Sequence, residues 1–329
     1  MRVRCWILLF VVCLGGASAA EPPVPKPETL RIMSFNIWGG GERGKLPLFR
    51  TAEVINAAKA DIVGLQESYG EKRKGVAPDN AKEIARALGW HHVDQGDGKT
   101  ILSRYEIVGL TPGKQGAEIR LPDGQSFYLF NVHLFHAPYQ PYQLLKIPYE
   151  EAPFLDNAEE LVQAAEAARG PELQRALAEI QPLLAAGKPL ALTGDFNEPS
   201  HLDWTANAAA ARIVPMATAY PASTAAAAAG LLDSFRVAYP DEVKHPGWTW
   251  TPLTKEDDPA DRHDRIDFVY VAPGLEVVRS AVVGEGPPRA DIAVKPYPSD
   301  HRAVVTEVRL PDTPEQVDAK VLDGSLTSR

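Results

Sequence analysis

Apolar and polar residues follow two rhythms along this chain, and their order predicts its elements. From Leu30 to Ile37 and from Asp61 to Gln66 the apolar residues run almost unbroken, as in strands covered on both faces. The stretches from about Pro47 to Lys59 and from Asp79 to Leu88 space their apolar residues three and four apart, which predicts helices. Strand patterns return at Thr100–Ser103, Ala117–Leu121 and Ser126–Leu134, the last two joined across an Asp123-Gly124 turn. The Ala-, Glu- and Leu-rich stretch from Asn157 to Ala186 reads as two helices, because Gly170 is a stop signal and Pro171 suits a first helical turn. A strand is expected over Lys188–Asp195, then a helical stretch, then an Ala-rich piece from Ala222 to Gly230 that fits either a helix or a surface loop. "LLDSFRVAYP" reads as a helix, and strands are expected over Arg265–Val271, Leu275–Val283 and Arg302–Leu310.

Strands such as "IVGLQ", "FYLFNV" and "PLALTG" need a cover on each face. They come singly and in hairpins, not in steady alternation with helices, so a purely parallel doubly wound sheet fits poorly. The pattern predicts an α/β protein of two stacked mixed sheets with outer helices, in one domain over residues 30–310.

The first nineteen residues differ: Arg2 and Arg4, an apolar run from Trp6 to Leu14, then "GGASAA". A charged start, a short apolar core and a small-residue site are expected of a cleavable secretory signal over residues 1–19, and the core is short for a bilayer span. Residues 20–29 form a Pro-rich leader and residues 311–329 a polar tail with little to bury. The expectation is a secreted or periplasmic protein, a monomer, with no integral membrane segment after cleavage. Cys5 and Cys13 both fall inside the signal, so the remainder could form neither a disulfide nor a thiolate zinc site. The formal charge of −9, more negative by two once Arg2 and Arg4 are removed, argues against broad sequence-independent binding of nucleic acid. A local basic groove or a bound cation can override net charge, so nuclease activity stays as an alternative.

Candidate chemistry sits where apolar runs stop. "RIMSFN" ends on Asn36, "IVGLQE" on Glu67, "YLFNVH" on His133 and "LALTGDFN" on Asp195 and Asn197. Two later strands begin on such residues, Asp267 in "DRIDFVYV" and Asp300-His301 in "SDHRAVV". If the first four strands run toward one edge and the last two away from it, all these groups meet at that edge. Carboxylates with few His and no Cys suit Mg²⁺, or Mn²⁺, better than zinc. Without a cation they would repel one another; with one, the cleft attracts phosphate. Phosphoester hydrolysis needs a polarised phosphoryl oxygen, an activated water and a stabilised leaving oxygen, and the set holds a part for each.

The ordered series "SFNIW", "VGLQES", "NVHL", "TGDFNEPS", "RIDFVYV" and "SDHRAVV" resembles the endonuclease/exonuclease/phosphatase superfamily, over nearly the whole chain from Asn36 to His301. The resemblance implies a four-layer α-β-β-α sandwich and a metal-dependent phosphoesterase. It implies that Glu67 is the principal Mg²⁺ ligand, with Asn36 and Asp300 on the metal or its waters. It further implies that Asp195 orients or deprotonates the attacking water and that Asn197 holds a phosphate oxygen. His301, set by Asp267, would transfer a proton or bind the phosphoryl group. His133 stands where deoxyribonuclease-like and sphingomyelinase-like members place a His on the phosphate or the leaving group.

Taken singly, each residue has an ordinary structural explanation. Asn36 and Asn197 suit turns, Glu67 and Asp195 suit helix caps, and Asp267 could pair with Arg265. Six motifs in family order weigh against that explanation for all of them together. Substrate contacts are expected from the loops beside the strand ends: Arg43 after Asn36, His136 with Tyr139 and Tyr142 after His133, His201 in "SHLDW", and Arg265. The expected activity is hydrolysis of a phosphodiester, small or linked to lipid or sugar. The alternatives are a nuclease and, from another class, a non-catalytic binding protein on the same fold.

Overall fold

The computed structural model describes residues 27–311, and the apolar runs within that range form two sheets. The expected signal, most of the Pro-rich leader and nearly all of the polar tail lie outside the described residues. The first sheet contains β1 (Thr29–Asn36), β2 (Ile62–Gln66), β3 (His91–Gly96), β4 (Lys99–Ser103), β11 (Glu276–Gly284), β12 (Ile292–Ala293) and β13 (Ala303–Arg309). Their order is β12-β11-β13-β1-β2-β4-β3. The second contains β5 (Glu106–Leu110), β6 (Gly116–Arg120), β7 (Ser126–His133), β8 (Leu190–Asp195), β9 (Leu232–Asp233) and β10 (Asp267–Val271), ordered β5-β6-β7-β8-β10-β9. The helices are α1 (Phe49–Ala58), α2 (Asn80–Leu88), α3 (Gln140–Leu145), α4 (Ala158–Ala185), α5 (Ala206–Ala210), α6 (Pro221–Ala228) and α7 (Ser234–Ala238).

Three apolar cores define four layers. Met33, Phe35, Val63 and Leu65 on the outer face of the first sheet pack against Val54 and Ile55 of α1 and Ala81 and Ile84 of α2. Between the sheets, Leu30, Ile32, Ile62 and Ile101 meet Ile119, Phe127, Leu129 and Val269. On the far side Phe130, Leu192, Phe196 and Phe268 pack against Leu173, Leu177 and Ile180 of α4 and Ala222 and Ala226 of α6. The central strands β2, β8 and β10 are therefore buried at every residue, which is why their sequences show no alternation.

Local sequence accounts for most boundaries. Asp79 caps α2 by accepting from Lys82 N–H, and left-handed Gly89 ends it. One expectation fails: Asn157 to Ala186 is not two helices but one, α4, with Pro171 and Pro182 inside it. An interior proline costs a helix roughly 3 kcal/mol. Here the stripe of Leu161, Ala165, Arg169, Leu173, Ala176, Leu177 and Ile180 is buried on both sides of Pro171, and that packing carries the helix through. The Ala-rich piece forms α6, and "LLDSFRVAYP" contributes a two-residue strand, β9, before the short α7. Strands β3 and β5, which the apolar pattern does not mark, are sheet edges with mostly exposed or half-buried residues.

Candidate active site

Strand direction brings the polar ends together. β1 runs parallel to β2 and β7 parallel to β8, while β13 and β10 return antiparallel. The ends of β1, β2, β7 and β8 thus share an edge with the starts of β10 and β13. In register, Asp195 lies opposite His133 on one side and Asp267 on the other. The resulting cleft of about 420 Å³ is lined by Glu67, His133, Asp195, Asn197, Asp300 and His301, with Arg43, His136, Tyr149 and Trp250 around them.

The carboxylates are held from behind. Asn36 Nδ2 donates to Asp195 Oδ2 at 2.9 Å and to Glu67 Oε1 at 3.4 Å, while its Oδ1 accepts from Trp38 N–H. Asn36, fully buried, therefore acts as a clamp between two acids. Glu67 also accepts from Gly39 N–H at 2.8 Å, and its carbonyl takes Gly40 N–H. Gly40 has φ 67°, and a Cβ there would lie 2.5 Å from Gly70 N, so "WGGG" serves this close approach. Asn197, at φ 49°, donates its backbone N–H to Asp195 Oδ1 and its side-chain amide to Leu134 O. Phe196 between them turns back into the outer core.

His301 is the most constrained group. Its Nδ1 lies 2.9 Å from Asp267 Oδ2, its Nε2 lies 3.7 Å from Asp195 Oδ2, and its ring meets Trp250 edge to face. Burial opposes its protonation, but the charges of Asp267 and Asp195 outweigh burial and push its pKa up to about 10. Burial raises Asp267 as well; in this pair we assign the proton to the imidazole, which faces two carboxylates. Burial, with the charges of Glu67 and Asp195, raises Asp300 to about 6 despite His301 beside it. His133 Nε2 stands 3.6 Å from Asp195 Oδ2 at the half-open side of the cleft.

Two groups of donors could hold a cation. Ligand atoms of Asp195, Asp267 and His301 lie within 4.8 Å of one another. Because His301 is bonded through Nδ1 and held protonated, that trio is better suited to carrying a proton. Glu67 and Asp300 offer oxygen donors in the open cleft, and their mutual repulsion fits a hard divalent ion.

The substrate-loop residues divide. Arg43 lies 3.9 Å from Glu67 in the cleft, and His136 lines its wall. Arg265 does not reach it: fully buried, it donates to Asp203 and to both oxygens of Asp233. His201 does not reach it either; its Nδ1 pairs with Ser223 Oγ, and it lines a separate depression with Leu202, Thr205 and Arg236. "SHLDW" is structural, since Trp204 packs on Tyr220 and donates to Asp264 while Asp203 bridges Arg236 and Arg265.

Sequence reasoning missed Trp250, Tyr149 and Ser299. In "WTWT" the alternation was a usable signal: Thr249 and Thr251 point inward, Thr249 Oγ1 accepting from Asp267 N–H and Thr251 Oγ1 donating to Asp300 O, while Trp250 faces the cleft. Ser299 Oγ donates to Asn36 O at 2.7 Å and ties the two strand ends together.

The chain is 26% identical over 323 residues to F14F9.5, an uncharacterized protein of Caenorhabditis elegans, covering 91% of this chain and 98% of that one. Its fold is similar to that of an endonuclease/exonuclease/phosphatase from Beutenbergia cavernae (TM-score 0.56, 21% identity, 86% of this chain and 72% of the other). It is also similar to an AP endonuclease from Archaeoglobus fulgidus (TM-score 0.51, 17% identity, 84% and 98%). The model of the endonuclease/exonuclease/phosphatase family matches residues 33–301, from the first strand to the last histidine of the cleft. This chain belongs to that family and is a metal-dependent phosphoester hydrolase.

Proposed function

We propose that the protein is an exported Mg²⁺-dependent phosphodiesterase that hydrolyses a small, or lipid- or sugar-linked, phosphoester by direct attack of water. The observation that carries this reading is the crowding around one carboxylate: Asp195 receives Asn36 and Asn197 and faces both His133 and His301. A divalent cation at Glu67 and Asp300, with Asn36 beside them, would polarise a phosphoryl oxygen and stabilise the leaving oxygen. Asp195, fixed at both oxygens, orients the water and takes its proton as the new P–O bond forms and the bond to the leaving oxygen breaks. His301, kept in position by Asp267, presents a protonated Nε2 to the phosphoryl oxygens, and His133 and Asn197 hold the same group from the open side.

Charge favours a small substrate. Among the described residues Arg43 is the sole Arg or Lys lining the cleft, and the chain's formal charge is −9, so little here would neutralise a long polyanion. No helix among the described residues is long and apolar enough to cross a membrane. Export rests on the charged, apolar and small-residue pattern of residues 1–19, and an N-terminus at Ala20 on protein recovered outside the cytoplasm would support it.

The test is Mg²⁺-dependent hydrolysis of bis(p-nitrophenyl) phosphate. Glu67→Gln and His301→Ala should each lower kcat/KM by roughly 10²–10⁴-fold. Unchanged rates in both would overturn the site, and rapid digestion of plasmid DNA at physiological salt would replace the small substrate with nucleic acid.

A further inference from the structure

Beside the cleft lies a recess of about 270 Å³ walled by Tyr139, Tyr142, Tyr149, Trp250, His136 and Ile147. It shares His136, Tyr149, Asn197 and Trp250 with the cleft, so the two spaces adjoin. Tyr142 meets both Tyr139 and Tyr149 edge to face, with ring centroids 4.9 and 5.7 Å apart.

Three polar tips of this wall are committed. Tyr139 donates its hydroxyl to Asp264 at 2.9 Å, Tyr142 donates to Asp261, and Trp250 Nε1 donates to Asp261 at 3.2 Å. Along Tyr139, Tyr142 and Trp250 a sugar or nucleobase would find few partners for its own donors and acceptors, which is costly once it is desolvated. Primary ammonium groups, with three N–H donors, face the same deficit.

The wall is also backed by charge. Asp264 has a cation, Arg262, at 3.3 Å. Asp261, half-buried, accepts from Tyr142, Trp250, Thr254 and the Arg262 backbone N–H, and among the described residues it forms no ion pair with Lys, Arg or His. Burial holds the nearby His263 below its ordinary pKa, so it is a poor counter-ion. A phenol and an indole donating to a carboxylate gain electron density on their rings, which strengthens attraction for a cation at the ring face.

We propose that this recess binds a methylated ammonium group, such as the trimethylammonium of a choline ester, carried on one ester substituent of the substrate. Such a group combines positive charge with an apolar surface that asks for no hydrogen bond, which is what this wall provides. The proposal rests on the phosphodiesterase reading for its connection to catalysis, and the binding of the cation alone can be measured apart from it.

Calorimetry in EDTA with choline and its neutral isostere 3,3-dimethylbutanol tests the recess without metal or turnover. Choline should bind at least about tenfold more tightly, and Asp261→Asn should move that ratio toward one. Tyr142→Phe, which keeps the ring but removes the donor, should lie between. Equal binding of the two ligands, or a ratio untouched by Asp261→Asn in a folded protein, would overturn the proposal. With Mg²⁺, p-nitrophenyl phosphocholine should exceed p-nitrophenyl 3,3-dimethylbutyl phosphate in kcat/KM by a similar factor. Preferential binding of choline without turnover of any diester would sustain the recess while refuting the proposed activity. Phosphatidylcholine vesicles against soluble glycerophosphocholine distinguish the source of the headgroup: hydrolysis of either supports the recess, and equal rates on phosphatidylethanolamine vesicles count against it.

Discussion

Two polar clusters sit at strand ends of the second sheet, a few residues apart in sequence, and they differ in charge balance. Around Arg265 the charges match: Arg265 and Arg236 face Asp203 and Asp233, and the Arg265 guanidinium donates to both acids. Two residues on, around Asp267, they do not: Asp195, Asp267, Asp300 and Glu67 outnumber His301 and the exposed Arg43, and one oxygen of Asp267 has no hydrogen-bond partner among the described residues. The first arrangement is a lock, because a buried charge with a full set of partners has nothing left to offer a ligand. The second keeps an excess negative charge that favours a cation and, through it, a phosphate.

The contrast breaks most sharply under paired substitution. Asp267→Asn should cut phosphoesterase kcat by roughly 10²–10⁴-fold while the protein stays folded, since it removes the group that sets His301. Arg265→Met should do the reverse, destabilising the fold by about 3–5 kcal/mol by stranding Asp233 and leaving Asp203 with Arg236 alone, with little change in specific activity of the folded fraction. Chemical denaturation together with activity measurements separates the two, and loss of activity in folded Arg265→Met protein would contradict the division.

The native state keeps Asp300 protonated up to about pH 6, whereas its ordinary pKa of 3.8 applies in the unfolded chain. Between those values the native state binds more protons, so this group's contribution is fully present below the unfolded pKa and is lost as pH rises through about 6. In EDTA the loss should approach about 3 kcal/mol at most, and Asp300→Asn should flatten that limb of the urea-denaturation profile. Mg²⁺ should restore stability at neutral pH in the wild type and not in Glu67→Gln. The smallest effect belongs to His201→Ala: outside the cleft, it should change kcat/KM by less than about twofold, and a larger drop would return "SHLDW" to the site.

Much of this arrangement was legible in the sequence. Residues costly to bury at the ends of unbroken apolar runs mark Asn36, Glu67, His133, Asp195 and Asp267, and the layered sheets follow from strands with no exposed face. Arg265 and His201 were misplaced because adjacency in sequence to a cleft residue says nothing of where the neighbouring side chain points. On a strand the next residue but one shares a face, yet Arg265 precedes β10 and turns away. The helix break expected at Gly170-Pro171 failed because packing outweighed a local penalty.

The sequence by itself determined which segments are buried on both faces and which residues interrupt them, because periodicity and side-chain chemistry are local properties. Only the tertiary structure decided which charges are neutralised. Asp203 and Asp233 reach Arg265 across 62 and 32 residues of chain, while Asp261, one residue from Arg262, receives a backbone N–H from it and no ion pair. Charge compensation depends on distances of a few ångströms between residues remote in sequence, and the fold sets those distances.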